Sequence, residues 1–213
     1  MSQTEPHQTE PPLPFPPAPD DRTAHLLHFL ILADRMKQIE RRNYVGNTDR
    51  RENDAEHCFH MALCLLVLHK EVAFEADLGH ALALVLVHDL VEIYAGDTFA
   101  YDPAAVAGQA EREQAAARRI FGEDLPADVG ATFQTLWEEF EEKRTPESRL
   151  ANACDRLQAF LQNYVTGGRP WRENGVTEAQ THGRTDFAAG VDPAFARLFA
   201  EIYRRAGTEG LWG

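Results

Sequence analysis

The sequence predicts an all-α fold. From residue 21 onward, apolar residues recur at the spacing that is typical of amphipathic helices. Capping residues, prolines and glycines stand where these stretches begin and end, and no stretch alternates apolar and polar residues as a half-buried strand does. Residues 1–20 hold seven of the twelve prolines and show no periodic pattern. We therefore expect a disordered proline-rich leader, followed by one domain over 21–213.

The predicted helices follow one another with short connections. The first carries apolar residues from Leu26 to Ile39, and the second begins at Asn53 or Asp54, which are good capping residues. The third spans about 76–94 and stops at Gly96. Four further helices are predicted: Pro103 to about Gly122, Pro126 through Phe140, Pro146 to about Val165, and from Pro193 onward. The pattern of 171–190 favours no class of structure.

Composition argues against several functions. The net charge is −13, with 34 acidic and 21 basic residues, and nucleic-acid or anionic-membrane binders rely on basic surfaces instead. The three cysteines, Cys58, Cys64 and Cys154, lie in apolar stretches without CxxC spacing, which indicates free thiols in a reducing compartment. The longest apolar run, 81–87, is too short to cross a bilayer, and the chain opens without a signal-peptide pattern. We expect a cytoplasmic protein with no nucleic-acid or membrane partner.

The third predicted helix is not explained by core formation alone. It is apolar all round until His88, Asp89 and Glu92 appear within the same run, spaced so that they share one sector of the helix. Unpaired buried carboxylates are costly, and a cation among these groups would remove that cost. A solvent-exposed helix end is the alternative explanation, and the helix does approach its stop at Gly96.

Three other segments supply candidate partners for this cluster. His57 stands in the first turns of the second helix, although His60 lies one turn on and is an alternative ligand. Asp155 flanks the apolar stripe of the sixth helix, and Asp97 follows the third helix. Taken singly, each is an ordinary helix or turn residue. A set of histidine nitrogens and carboxylate oxygens suits manganese, iron, cobalt, nickel or zinc, and a bound divalent ion provides a nucleophilic water at neutral pH.

In this order the residues resemble the HD-domain metal-dependent phosphohydrolases, and in particular their 5'-deoxynucleotidase branch. The similarity extends from about His25 to Tyr203. The motifs that carry it are Glu56-His57, His88-Asp89-x-x-Glu92, Gly96-Asp97 and Asp155-x-Leu157, together with the block Leu136-Trp137-Glu-Glu-Phe140. The resemblance implies the HD-domain helical bundle, commonly a homodimer, and a small-molecule nucleotide as substrate.

The resemblance also implies roles for individual residues. The implied ligands of one divalent transition metal are His57, His88, Asp89 and Asp155. Glu92 and Asp97 match acidic positions essential for catalysis, and Arg41 aligns with an arginine that holds the substrate phosphate. The implied reaction is hydrolysis of nucleoside 5'-monophosphates, often the 2'-deoxy forms, by attack of a metal-bound water.

Further substrate contacts are predicted around these positions. The basic residues Arg42, Arg50 and Arg51 are candidate phosphate contacts in an otherwise acidic chain, and Thr98 follows Asp97 as a candidate substrate contact. A solvated charge run is the alternative for Arg50 and Arg51. Arg42 stands where the deoxynucleotidase has a tryptophan that disfavours a ribose 2'-hydroxyl, so the sugar preference of that branch does not carry over directly.

Two other functions remain open from the sequence. Other HD-domain proteins hydrolyse cyclic nucleotides, (p)ppGpp or nucleoside triphosphates, and the offsets of Glu92 and Asp97 favour the monophosphatase branch over these. A helical module that binds a metal or a nucleotide without turnover is the non-enzymatic alternative, and a sensor of that kind does not need such a carboxylate pair.

Overall fold

The computed structural model of this chain describes residues 21–46 and 48–213, so the predicted proline-rich leader lies outside the described residues. The described part is mainly helical, which confirms the all-α prediction. Its elements in chain order are α1 (Arg22–Leu32), β1 (Glu40–Tyr44), β2 (Arg51–Asn53), α2 (Asp54–Leu68), α3 (Leu78–Val87), α4 (Glu92–Ala95), α5 (Pro103–Val106), α6 (Gln109–Gly122), α7 (Ala127–Glu142), α8 (Pro146–Val165), α9 (Arg169–Glu173), α10 (Glu178–Ala189) and α11 (Pro193–Glu209). Single 3-10 segments span Ala33–Lys37 and His88–Val91.

Helix α8 forms the centre of the bundle and packs against α2, α3, α7, α10 and α11. Its start follows from the sequence, because the Thr145 side chain accepts a hydrogen bond from the Ser148 N–H and Pro146 occupies the first turn. Twelve of its twenty residues are buried, and they include the polar Asp155 and Gln158. Because α8 is enclosed on several sides, its polar side chains must find partners inside the protein.

Helix α2 begins with a capping box at the position that the sequence predicts. The Asn53 side chain accepts a hydrogen bond from the Glu56 N–H, and the Glu56 carboxylate accepts one from the Asn53 N–H. This cap fixes the first turn of the helix, and it directs His57 into the interior, where the side chain is fully buried.

The prediction that no strand is present is wrong in one place. Strands β1 and β2 form an antiparallel ribbon in which Glu40 lies opposite Asn53 and Tyr44 opposite Arg51, with an irregular register between them. The segment has no alternating pattern because its stability comes from other parts of the chain. Gln162 of α8 donates a hydrogen bond of 2.6 Å to the Tyr44 carbonyl, and the guanidinium of Arg169 in α9 lies 3.8 Å from the Tyr44 ring centre.

Several predicted helices are shorter or interrupted. The first ends at Leu32, so that Ile39 lies outside it, beyond a 3-10 segment. The third is divided into α3, a 3-10 segment and α4, and it stops at Gly96, which has a φ of 73°. The fourth is divided into α5 and α6 at Gly108, whose φ of 80° is left-handed. The stretch 171–190, for which the sequence made no prediction, lies mostly in α9 and α10.

The apolar stretch Leu78–Ala95 is long and apolar enough to cross a membrane by length and composition alone, contrary to the estimate from the uninterrupted run 81–87. Half of it is buried inside the protein, and a core helix meets the same criterion. The stretch packs against α2, α7 and α8, which is the environment of a core helix.

An aromatic cluster joins the C-terminal residues to the bundle. The ring centres of Trp171 and Trp212 lie 4.5 Å apart, and Phe160 of α8 lies 5.1 Å from Trp171. Tyr203 of α11 contacts the same Phe160 at 4.8 Å. The indole of Trp171 is almost completely buried, so α9 is a part of the core.

Candidate active site

Three helical segments bring the predicted metal ligands to one point. His57 comes from the first turn of α2, His88 and Asp89 from the 3-10 segment that follows α3, and Asp155 from the middle of α8. One ligand atom from each of His57, His88 and Asp89 lies within 4.8 Å of the other two. The His57 Nε2 lies 3.2 Å from Asp155 Oδ1 and 3.6 Å from Asp89 Oδ2. Residues almost 100 positions apart therefore form one compact cluster of nitrogen and oxygen atoms.

Hydrogen bonds to the far side of both imidazoles orient them toward this cluster. His57 Nδ1 lies 2.6 Å from the Gln158 Oε1, and the Gln158 Nε2 donates to Glu52 at 2.7 Å. Because the Glu52 carboxylate only accepts, the Gln158 amide oxygen must face His57, so His57 Nδ1 donates. His88 Nδ1 lies 2.8 Å from the Val85 carbonyl and therefore also donates.

This arrangement fits a divalent cation. The Nε2 atoms of His57 and His88 are buried and have no hydrogen-bond partner within the described residues. Both point toward Asp89, whose two oxygens lie near the two imidazoles. Metal-binding histidines commonly donate their other ring N–H to an amide, carbonyl or carboxylate, as both do here. The donor set therefore suits one divalent ion of the transition series.

A second acidic cluster lies beside the histidines and surrounds Arg41. The Arg41 Nη1 lies 3.2 Å from Asp89, 3.3 Å from Asp54 and 3.8 Å from Asp97. Its Nε lies 3.9 Å from Glu52. The guanidinium is thus enclosed by carboxylates, and its charge is largely balanced within the protein.

Burial and mutual repulsion disturb the acidic groups of this cluster. Burial, together with the charge of Asp89, raises the pKa of Asp54 to about 6 against the opposing effect of Arg41. Burial and the charges of Asp89 and Asp54 raise the pKa of Glu92 well above its usual value. Burial also raises the pKa of Asp97. Carboxyl groups with raised pKa values are suited to hold or transfer a proton near neutral pH.

In the histidine cluster, neighbouring groups of opposite charge favour the charged forms of His88 and Asp155 instead. Burial lowers the pKa of His88, but the neighbouring Asp89 outweighs it and raises that pKa to about 9. Burial disfavours the charged form of Asp155, yet Arg156 and His57 hold its pKa well below the usual value. A cation at this point competes with the proton on His88 and binds carboxylates that are already ionised.

The clusters open into a cavity of about 430 Å³. His88, Asp89, Glu92, Asp97 and Asp155 lie in its wall. The lining also includes aromatic and basic side chains, beside further acidic, polar and aliphatic ones: Phe99, Tyr101, Trp137, Phe140, Phe160, Arg41, Arg42, Lys143, Arg156 and Arg184. A pocket of this size, with a few convergent charged groups and aromatic walls, suits a small polar molecule with a planar ring.

The remaining predicted contacts divide into two groups. Arg42 and Thr98 line the cavity, with the Arg42 guanidinium 5.8 Å from the Phe99 ring centre. Arg50 and Arg51 do not line it. Arg50 forms a paired contact of 2.8 Å with Glu56 outside the cavity, which agrees with the alternative of a solvated charge run. Arg51 lies against the Tyr44 ring.

Sequence reasoning missed several members of the site. Asp54 was expected only as a helix start, although it precedes His57 by three residues and shares a helix face with it. Gln158 stands three residues after Asp155 in the same way. Arg156 and Arg184 carry no local signal, because exposed arginines are common on helices. His60, the alternative to His57, contacts Gln158 at 3.2 Å and lies outside the cluster.

The HD domain profile matches residues 33–192, which is most of the chain. The chain belongs to the HD domain family. Members of this family take their name from an adjacent histidine and aspartate, which are His88 and Asp89 here. The family assignment and the cluster together indicate a divalent metal centre.

Relatives of this HD-domain protein include the 5'-deoxynucleotidase HDDC2 of Homo sapiens, 30% identical over 138 residues. That alignment covers 64% of this chain and 66% of the human protein, just under two thirds of its length. The HDDC2 of Dictyostelium discoideum is 27% identical over 153 residues, which cover 69% of this chain and 80% of that protein. The crystal structure of a "predicted metal-dependent phosphohydrolase" from Magnetospirillum magnetotacticum MS-1 is 35% identical, with a TM-score of 0.85, and covers 92% of this chain and 98% of that chain.

Proposed function

We propose that this HD-domain protein is a metal-dependent 5'-nucleotidase, which hydrolyses nucleoside 5'-monophosphates to nucleoside and phosphate. The observation that carries the proposal is the convergence of the buried Nε2 atoms of His57 and His88 with Asp89 and Asp155, beside a cavity that Glu92 and Asp97 also line. The names of the HDDC2 relatives and of the Magnetospirillum phosphohydrolase support the same reaction class.

The residues that would hold the metal are His57, His88, Asp89 and Asp155. When bound, a divalent ion of this kind would polarise the phosphoryl group and lower the pKa of a water molecule, which then supplies a nucleophile at neutral pH. The nitrogen and oxygen donors suit manganese, iron, cobalt, nickel or zinc. Gln158 and the Val85 carbonyl hold both imidazoles in the orientation that this requires.

Glu92 and Asp97 would divide the proton transfers between them. Glu92 is buried beside the cluster and would orient water and accept its proton. Asp97 is slightly more accessible and would donate a proton to the leaving 5'-oxygen. Arg41 lies 3.8 Å from Asp97 and would fix its position, in addition to the phosphate contact that the family resemblance implies. Arg42 and Thr98 stand at the cavity wall as further substrate contacts.

The first experiment is a phosphate-release assay on a panel of ribo- and deoxyribonucleoside 5'-monophosphates. The protein is stripped of metal and then supplied with manganese, cobalt or zinc. We expect release that depends on metal and disappears in His88→Ala. His182→Ala is the matched control, because His182 is an exposed histidine on α10 outside the cavity. Absence of release with every metal and nucleotide would contradict the proposal, and the panel itself gives the sugar preference.

A second experiment tests the proton transfers. Glu92→Gln and Asp97→Asn remove the titrating group with little change in shape. We expect each to lower kcat by about 100-fold or more and to remove one limb of the pH–rate profile. Unchanged rates and profiles in both variants would exclude the assigned roles.

We further propose that the protein is a cytoplasmic homodimer. Phe59, Leu63, Leu66 and Val67 form one exposed apolar face on α2, and Phe59 and Val67 are each more than two thirds exposed, at 67% and 69%. A second copy of the chain, packed against α2, would bury this face. The free thiols of Cys58, Cys64 and Cys154 support a reducing compartment.

A further inference from the structure

Helix α4 connects the two carboxylates of the proton transfers, and it is only one turn long. Glu92 is its first residue, and Asp97 stands two residues beyond its end. The Gly96 N–H donates to the Glu92 carbonyl at 2.8 Å and closes the turn. Its cap residue, Val91, has no side chain that can form a hydrogen bond. Because a single helical turn is not stable by itself, the position of α4 must come from contacts with other parts of the chain.

Tyr94 provides such a contact on the side of α4 that faces away from the cavity. Glu92 lines the cavity and Tyr94 does not, as expected for two helix positions that lie about 200° apart around the axis. The Tyr94 hydroxyl donates a hydrogen bond of 2.8 Å to Asp124 Oδ2. The Arg119 guanidinium lies 3.7 Å from the centre of the Tyr94 ring and covers one of its faces. Arg119 belongs to the last turn of α6, and Asp124 stands two residues beyond that helix.

Asp124 is the centre of this buried network. Its side chain is almost completely enclosed, and both of its oxygens have a partner. Oδ2 accepts the hydrogen bond from Tyr94, and Oδ1 lies 3.0 Å from Nε2 of His28 in α1. The Asp124 N–H donates to the Arg119 carbonyl at 3.1 Å, which fixes the residue relative to α6. A buried carboxylate that loses a partner is left with uncompensated charge, so the network joins α1, α4 and α6 firmly.

The Asp124 network acts on a different part of the site than the metal ligands do. Its bonds connect α1, α4 and the end of α6, whereas His57 and Asp155 belong to α2 and α8. Loss of the Tyr94 hydroxyl should therefore allow α4 to shift while the metal ligands stay in place. A displacement of about 1 Å at a catalytic group can reduce a rate by about 100-fold.

We propose that Tyr94 and Asp124 are positioning residues for the proton transfers. The hydrogen bond between them fixes α4 and, through its backbone, holds Glu92 and Asp97 in place beside the metal cluster. This inference rests on the proposed function, because that function assigns the proton transfers to Glu92 and Asp97. Tyr94 and Asp124 lie outside the lining of the cavity, so they act on the reaction through α4 alone.

The test compares two variants with a control that loses the same kind of hydrogen bond. Tyr94→Phe removes the hydroxyl and keeps the ring. Asp124→Asn keeps the shape of the side chain and removes its charge. Tyr164→Phe is the matched control, because the Tyr164 hydroxyl donates to the Glu209 carboxylate at 3.0 Å, outside the cavity.

Two kinds of measurement are made on the metal-loaded protein. The constants kcat and KM are determined with a nucleoside 5'-monophosphate, at a temperature at which every variant is folded. Hydrogen–deuterium exchange of peptides that cover 90–97 reports on α4 independently of activity, and peptides that contain His57 or Asp155 serve as internal references. Metal content and the melting temperature are recorded for each variant.

We expect Tyr94→Phe to lower kcat by about tenfold to a hundredfold and to change KM by less than about twofold, because catalytic groups move and the cavity wall does not. Asp124→Asn should lower kcat by a smaller factor, since its amide oxygen still accepts from Tyr94. Exchange over 90–97 should become faster in both variants, with the reference peptides and the metal content unchanged. Tyr164→Phe should behave as the unmodified protein.

The outcomes separate this inference from the proposed function. Unchanged kcat in Tyr94→Phe, with metal-dependent hydrolysis intact, would overturn the positioning role and leave the nucleotidase standing, even if the melting temperature falls. Loss of metal from Tyr94→Phe would also overturn it, because the effect would then lie at the ligands. A protein that hydrolyses no nucleotide would contradict the nucleotidase. In that case faster exchange confined to 90–97 would support the control of α4 by Tyr94, and unchanged exchange would overturn it.

Discussion

At the scale of single residues, Gln158 links the histidine cluster to the ribbon. Its amide accepts a hydrogen bond from His57 and donates one to Glu52, so one side chain sets both the tautomer and the direction of the imidazole. Neither contact involves the cavity, which means that Gln158 acts on the metal site through His57 alone. It is therefore a positioning residue.

Replacing Gln158 tests that role. We expect Gln158→Leu to weaken metal binding by about 10- to 100-fold, because His57 then loses the partner that holds its Nδ1 proton. Metal titration with a competing chelator measures the change. Gln162→Leu is the matched control: Gln162 is a buried glutamine one turn further along α8 that binds the Tyr44 carbonyl instead. Equal metal affinity in the two variants would contradict the positioning role.

The pH dependence of alkylation at Cys64 tests whether its thiol is buried. Burial raises the pKa of its thiol from 9.0 to about 11. A raised pKa leaves less thiolate at any given pH, so native Cys64 should react with iodoacetamide about 100-fold more slowly than a free cysteine at neutral pH. Mass spectrometry across a pH series should show a native rate that still rises well above pH 9. If the alkylation rate of native Cys64 stops rising at the same pH as that of the unfolded chain, the thiol is not shielded.

The sequence could supply six candidate catalytic and ligand positions because each belongs to a short motif: His57, His88, Asp89, Glu92, Asp97 and Asp155. Five of the six line one cavity, and the sixth, the buried His57, lies 3.2 Å from Asp155. Asp54 and Gln158 were not recognised, since their contacts with Arg41 and Glu52 span 13 and 106 positions of chain that no local spacing encodes. The basic neighbourhood of Arg50 suggested a phosphate contact, whereas its partner in the structure is the nearby Glu56.

At the scale of secondary-structure elements, helix starts were predicted best. The Asn53 capping box and the Thr145–Pro146 start of α8 act within one turn and depend on local sequence alone. The spacing of apolar residues did not predict the 3-10 segment at His88–Val91. One 3-10 turn differs from an α-helical turn by less than one residue, so the apolar sequence looks the same in both. The β1–β2 ribbon was missed for a related reason, since α8 and side chains from other elements hold it in place.

The contact between α6 and α7 depends on a glycine. A Cβ added at Gly130 would lie 1.9 Å from the Phe121 carbonyl oxygen, which is part of the backbone and cannot move aside. We expect Gly130→Ala to destabilise the fold by about 1–3 kcal/mol, measured by denaturant unfolding. Gly207→Ala is the control, because that helical position has no atom within 4 Å of the added Cβ, and it should stabilise by about 0.5–1 kcal/mol. Similar stabilities of the two variants would contradict the close contact.

At the scale of the whole molecule, the exposed apolar face of α2 predicts self-association. We expect the protein to sediment at twice the mass of its 23.9 kDa chain, and Phe59→Glu to sediment as a folded monomer, because a charge in an apolar interface is costly. Leu198→Glu, at a partly exposed position on α11, should leave the dimer intact. A wild-type protein that sediments as a monomer would exclude the dimer, and a dimeric Phe59→Glu would place the interface elsewhere.

The three tryptophans of the chain give it two separate optical reporters. Trp137 lines the cavity, whereas Trp171 and Trp212 stack against each other in the aromatic cluster that anchors the C-terminal residues. Quenching of the Trp137 emission will therefore follow the entry of cobalt or nickel in real time, without labels. The spectrum that remains in Trp137→Phe will follow the detachment of the C-terminal segment, so filling of the site and loosening of the fold can be observed as distinct signals by comparing the two proteins.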